Sequence, residues 1–209
     1  MGIEDHILKE KERGDCYKLL AACFYLPRKI LYIEEGLFQS LAALFGEVCP
    51  EATSFLARME EAFSTYSEEE LSVEYARLFV GPYELKAPPY GSVYLDGERR
   101  VMGNSTMEVI RLYEEAGLAM DKDFKEVPDH IAVELEFMYY LIYKEMEALE
   151  KLEKDKALAL EETRNHFFNR FLSLWVPSFC QKMKESTNNL FYIALADCLS
   201  TFITNQSRY

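Results

Sequence analysis

The chain has 209 residues, of which 49% are hydrophobic and 28% charged, and its formal net charge is −13. Such a length buries a sizeable core, and such a composition is far from that of a disordered chain. The acidity argues against nucleic acid, a polyanion it would repel, and for a basic partner.

The five cysteines, Cys16, Cys23, Cys49, Cys180 and Cys198, form no C-x-x-C pair. An odd number without framework spacing reads as reduced, buried thiols in a reducing compartment. Residues 1–14 carry charge throughout, which argues against a signal peptide. The longest apolar run, 190–203, is interrupted by Asp197 and Ser200; it is too short to span a membrane and reads as a buried helix. A cytoplasmic, soluble protein without stable membrane insertion is expected.

Taken in order, nearly every segment has helical periodicity, and no set of alternating strands appears. A first helix, with Cys16, Leu19, Leu20, Cys23 and Phe24 along one side, is predicted to run to the stop at Pro27. Helices are predicted at about 34–47 and 50–66. Ser67 and Glu70 have capping-box spacing, opening a helix that carries Leu71, Tyr75, Leu78 and Phe79 and ends at Gly81-Pro82.

Residues 80–104 break the pattern, with Pro82, Pro88 and Pro89 among Gly81, Gly91, Gly97 and Gly103. They read as a long loop, and Tyr83, Tyr90, Val93 and Tyr94 would pack it on the body in a functional role. Ser105 and Glu108 suggest a second capping box, and Gly117 a helix stop. A polar linker, 121–127, leads to Pro128 at the start of a long helix. Its stripe is Ile131, Leu135, Met138, Ile142, Met146 and Leu149. Another helix, 158–175, is predicted to stop at Pro177, and two more reach the C-terminus. The fold class is all-α: a compact multi-helix bundle with one long Pro/Gly-containing loop. Residues 1–209 read as a single domain, or as two lobes of about 1–120 and 121–209.

The chain carries no Walker loop, G-x-G-x-x-G, H-E-x-x-H or G-x-S-x-G. His6, His130 and His166 have no neighbours at metal-ligand spacing, so no metal is expected. The acidic runs 68–70 and 145–153 read as solvated helix faces. Asp129 complements a helix N-terminus, and His130 and Glu134 are spaced to pair across one turn.

Two clusters remain. One is Glu74-Tyr75-Ala76-Arg77-Leu78-Phe79-Val80-Gly81-Pro82, followed by Pro88-Pro89-Tyr90-Gly91-Ser92-Val93-Tyr94. The other is Asp129-His130-Ile131-Ala132-Val133-Glu134-Leu135-Glu136-Phe137-Met138. With the later His166-Phe167-Phe168, Phe171-Leu172 and Trp175-Val176-Pro177-Ser178-Phe179, this order of motifs resembles the TorD/DmsD/NarJ family of redox-enzyme maturation chaperones. The resemblance runs from about Glu74 to Phe179.

That resemblance implies a TorD-like all-helical fold with no bound cofactor and no enzymatic activity. It implies a partner: the twin-arginine leader peptide, and the apo form, of a molybdopterin-dependent oxidoreductase of the dimethyl sulfoxide or trimethylamine N-oxide reductase type. The client would be held for cofactor insertion before export. Leu78, Phe79, Pro89, Tyr90, Asp129 and His130 are implied to bind the peptide. Glu74, Tyr75, Gly81, Pro82, Pro88, Ser92, Tyr94, Glu134, Glu136 and Phe137 support them. Phe79 and Tyr90 would floor a groove for a helical leader, Asp129 would help to form an acidic rim, and His130 would titrate near neutrality. A NarJ-like member would serve a nitrate reductase that is not exported, and family members occur as monomers or domain-swapped forms, so a homodimer is compatible. The competing classes are a nucleotide hydrolase built on Asp129 and His130, and a structural subunit of a redox complex.

Overall fold

The computed structural model describes residues 2–81, 85–97, 101–119 and 126–207. Among them the structure is all-α: α1 (Ile3–Ala22), α2 (Leu37–Val48), α3 (Thr53–Thr65), α4 (Glu68–Tyr75), α5 (Gly91–Leu95), α6 (Asn104–Glu115), α7 (Ile131–Glu150), α8 (Lys154–Phe167), α9 (Ser173–Ser186) and α10 (Leu190–Gln206). No described helix is long and apolar enough to cross a membrane. Pro82, Tyr83, the Arg99-Arg100 pair and residues 121–125 of the polar linker lie outside the described residues.

The helices form two compact units, each made of two separated stretches: Met1–Ala21 with Tyr90–Trp175, and Ala22–Pro89 with Val176–Tyr209. In the first, α7 packs along α8. The stripe residues Ile131, Leu135, Met138, Ile142 and Met146 are buried there. Gly14 of α1 comes so close to α7 that a Cβ would stand 3.2 Å from Ile142. In the second, α10 packs against α3. Its apolar run is enclosed after the exposed Leu190, and Phe63, Tyr32 and Phe191 form an aromatic cluster. All five cysteines are buried, and none forms a disulfide.

Several boundaries follow local rules. The Ser67 hydroxyl accepts from Glu70 N at 3.1 Å while Glu70 Oε2 accepts from Ser67 N at 2.8 Å, completing the capping box of α4. At the end of α6, Gly117 adopts φ +81°. Leu118 N then donates to Tyr113 O and Gly117 N to Glu114 O, the Schellman pattern.

Four elements differ from expectation. The segment 80–104 is not all loop, because α5 forms inside it. The second capping box is absent: Ser105 is inside α6, and its N–H and hydroxyl both donate to Asp96 Oδ2, so the cap comes from before the helix. Pro177 does not stop its helix, since α9 continues through it to Ser186. The π turn Phe168–Leu172 lies just upstream.

The fourth difference is Glu145. It is not on a solvated face; it is buried on α7, with Oε2 2.9 Å from Arg164 Nε of α8. Arg164 also faces Glu10 at 3.7 Å, and Glu10 pairs with Arg13. Burial raises the Glu145 carboxyl to about 8, so at pH 9 both partners are charged, and there removing one member of the buried pair strands a charge, whereas removing both does not. Arg164→Met should therefore lower unfolding free energy by about 3 kcal/mol, and Arg164→Met with Glu145→Met by clearly less. Urea denaturation of both variants at that pH checks this; an equal or greater loss in the double variant would contradict it.

Candidate functional site

The motif residues fall into the two units separately. Leu78 and Phe79 lie in the second, in and beside the π turn Ala76–Val80 that follows α4, and both are buried. The Phe79 ring meets Phe24 (centroids 6.4 Å apart), Tyr75 (5.2 Å), Phe179 (6.1 Å) and Tyr192 (5.8 Å). Tyr75 donates its hydroxyl to Phe24 O at 3.1 Å, and Leu78 O accepts from Ala87 N at 3.0 Å. Phe79 is thus a core side chain rather than an open floor. Glu74 is half-buried and takes both Arg77 and Thr187. Gly81, at φ +86°, ends the π turn, a backbone that favours glycine. Pro88 is half-buried and Pro89 buried.

Tyr90, Asp129 and His130 come together in the first unit, around the start of α5. Asp129 makes two bonds to that start: its carbonyl accepts from Gly91 N at 2.9 Å, and its Oδ2 accepts from Ser92 N at 2.7 Å. A carboxylate on the exposed amides of a helix start is favourable in charge as well as geometry. Asp129 is only 1% exposed, so it faces these amides instead of forming a solvent-facing rim.

His130 is the N-cap of α7. Its Nδ1 accepts from Ala132 N at 3.1 Å, and its backbone bridges to Tyr90. Their rings meet edge to face at 5.6 Å. The expected side-chain pairing of His130 with Glu134 does not occur; burial instead holds the imidazole down at about 4, neutral at physiological pH. Tyr90 is half-buried, leaving part of its ring open to solvent.

Behind them, Trp175, the single tryptophan, donates Nε1–H to Glu134 Oε2 at 2.9 Å and stacks on Tyr94 at 5.6 Å. Glu134 is fully buried, and burial pushes its carboxyl well above the usual range; the Trp175 hydrogen bond opposes this and Asp129 adds to it. Burial thus disfavours its charged form. A Cβ at Gly91 would stand 3.1 Å from both Glu134 Oε1 and Trp175 Nε1, so any larger residue here would have to displace these side chains. Ser92 is buried, Phe137 packs on Tyr113 (4.5 Å) and Phe167 (4.8 Å), and Glu136 is exposed. Trp175 and Gly91 were not singled out for these roles by the sequence, because their partners lie 41 and more residues away.

With this geometry in view, the comparisons are specific. Residues 39–181 match the family model described as nitrate reductase delta subunit, a stretch that contains every motif named above. The chain belongs to this family. Its relatives include the chaperone protein TorD of Photobacterium profundum, 35% identical over 133 residues, covering 64% of this chain and 60% of the relative. The Tat proofreading chaperone DmsD of Salmonella typhi is 31% identical over 144 residues, covering 67% of this chain and 62% of the relative. The matches thus span less than two thirds of these two relatives' lengths. A solved structure from Archaeoglobus fulgidus, described as a candidate redox enzyme maturation protein, superposes with TM-score 0.56 over 93% of each chain at 22% identity, which establishes a shared fold.

The His130 geometry has a measurable consequence. Unfolded, its imidazole takes up a proton below about 6.5; folded, it does so only near 4. Between those values the unfolded state binds the extra proton, so the contribution is intact above pH 6.5 and is lost as pH falls, by about 3 kcal/mol at pH 4. His130→Asn keeps a side-chain acceptor at the cap. Urea denaturation from pH 7.5 to 4.5 should show a shallower acid loss in that variant, and an identical slope in both proteins would refute the assignment.

Proposed function

We propose that this protein is a cytoplasmic maturation chaperone that binds the twin-arginine leader and the apo form of a molybdopterin-dependent oxidoreductase, holding it for cofactor insertion before export. The observation that carries this reading is the family match across 39–181, together with relatives named TorD and Tat proofreading chaperone DmsD. It acts by binding, without turnover of its own. Asp129 and His130, the residues a hydrolase would need, are committed to Ser92 N and Ala132 N and enclosed.

On this reading the motif residues divide the work. Asp129, His130, Glu134 and Trp175 hold residues 90–92 in place, and the half-buried Tyr90 is the group among them that meets an apolar leader side chain. A tyrosine contributes large area at low entropic cost, which suits a recognition surface. Leu78 and Phe79 support their own unit from within. Leader binding is expected on the order of micromolar, since burial of a few apolar side chains is largely offset by association and ordering costs.

A second reading is specifically favoured by the description of the matching model, nitrate reductase delta subunit: a NarJ-like chaperone of a nitrate reductase that stays in the cell. Calorimetric titration separates the two. The leader of the molybdoenzyme encoded beside this gene should bind one-to-one, and Tyr90→Ala should weaken it about tenfold with little change in melting temperature. Binding to the mature apoenzyme alone would favour the NarJ-like reading, and binding to neither would overturn both.

A further inference from the structure

Away from the motif residues, the second unit carries a polar pocket of about 190 Å³ between the turn Pro50–Ala52 and the end of α10. Its lining is Glu51, Ser200, Thr201, Thr204 and Asn205: one carboxylate, three hydroxyls and one carboxamide, with no basic side chain among the described residues. Thr201, Thr204 and Asn205 have the i, i+3, i+4 spacing of one helical face. They lie in the last two turns of a 17-residue helix, at the negative end of its dipole, and its last turn holds no basic residue.

Donors and acceptors do not balance in this pocket. Asn205 is only 8% exposed, and its Nδ2 donates to Glu51 Oε2 at 3.3 Å. An ionised carboxylate only accepts, so this bond fixes which way round the amide lies. The Oδ1 of the same amide is buried and has no partner, where a buried acceptor ordinarily has one. Thr204 spends its hydroxyl proton on Ser200 O at 2.8 Å, which leaves its oxygen only lone pairs to offer. Glu51 Oε2 also faces Cys49 Sγ at 3.9 Å, so Oε1 stands outside both contacts. An amide oxygen, a carboxylate oxygen and a threonine oxygen thus share one pocket, and their common complement is a cation.

We infer that this pocket binds a hard divalent cation of the Mg²⁺ or Ca²⁺ class, held by Glu51, Asn205 and Thr204 together with several of the ion's own waters. Oxygen-only ligands select such ions, and no imidazole or thiol lines the pocket to favour a softer metal. A water occupies about 30 Å³ in the liquid, so the volume takes an ion with part of its hydration shell. With a single carboxylate, affinity is on the order of millimolar. The bound ion fastens the turn Pro50–Ala52 to the end of α10, and it does so whatever the protein's client is.

The test uses the full chain, ¹⁵N-labelled and stripped with a chelator, titrated separately with MgCl₂ and CaCl₂ at an ionic strength held constant with NaCl. At least one of the two salts should shift the amides of 51–53 and 200–206 saturably. Glu51→Gln, at an exposed position, should weaken that binding about tenfold. Asn205→Asp keeps the shape and adds a second carboxylate. It should lower the melting temperature in chelator and tighten the ion about tenfold, so that the ion restores the loss. A loss that neither ion reverses would make Asn205 a structural residue only and overturn the site. So would shifts that do not saturate, that NaCl alone reproduces, or that persist unchanged in Glu51→Gln. Should Asn205→Asp fail to fold, the Glu51→Gln comparison decides by itself.

Discussion

Asp129 is the contact on which the motif region turns. Through one carbonyl and one carboxylate oxygen it holds both leading amides of α5, 37 residues earlier in sequence, beside the start of α7. A five-residue helix has almost no stability of its own, because nucleation outweighs the few bonds it forms. Without the acceptors that Asp129 supplies, Gly91 and Ser92 would present unsatisfied amides in a buried setting. The His130–Tyr90 bridge, the Tyr94–Trp175 stack and the close approach at Gly91 all assume that α5 stays where Asp129 puts it.

This placement changes what the acidic motif residues do. Glu134, whose charged form burial disfavours, works as a hydrogen-bond partner for the tryptophan, while Asp129 keeps its acceptors for backbone amides. The chain's large negative charge is then left to its exposed glutamates, and under the proposed function it would steer a basic leader through solvent in a salt-dependent way. Specific residues and overall charge thus have separate roles: the first shape a surface, the second raises encounter rates.

Much of the fold was legible in local pattern. The Ser67–Glu70 box, the Gly117 stop, the α7 stripe and the buried C-terminal helix each depend on residues a few positions apart, and each is present. What escaped was non-local. The cap of α6 comes from Asp96, the clasp of α5 from Asp129, and the partner of Glu145 from α8. Glu145 did carry a signal, since it lies three residues after Ile142 and beside Met146 on the buried stripe, but its acidic neighbours masked it. Of the site, the motifs marked the right neighbourhoods, yet spacing alone could not separate residues that face a ligand from those that hold others in place. Phe79 and Asp129 read equally well either way until their burial was known.

Amide hydrogen exchange, read at Gly91 and Ser92 in the wild type and in Asp129→Asn alongside leader affinity, tests most directly whether Asp129 acts by positioning. If it does, the substitution should speed exchange at those two amides, leave α7 and α10 protected, and weaken the leader in proportion. Unchanged protection at both amides with leader binding lost would instead make Asp129 a direct contact, and the division between positioning and contacting residues would be wrong.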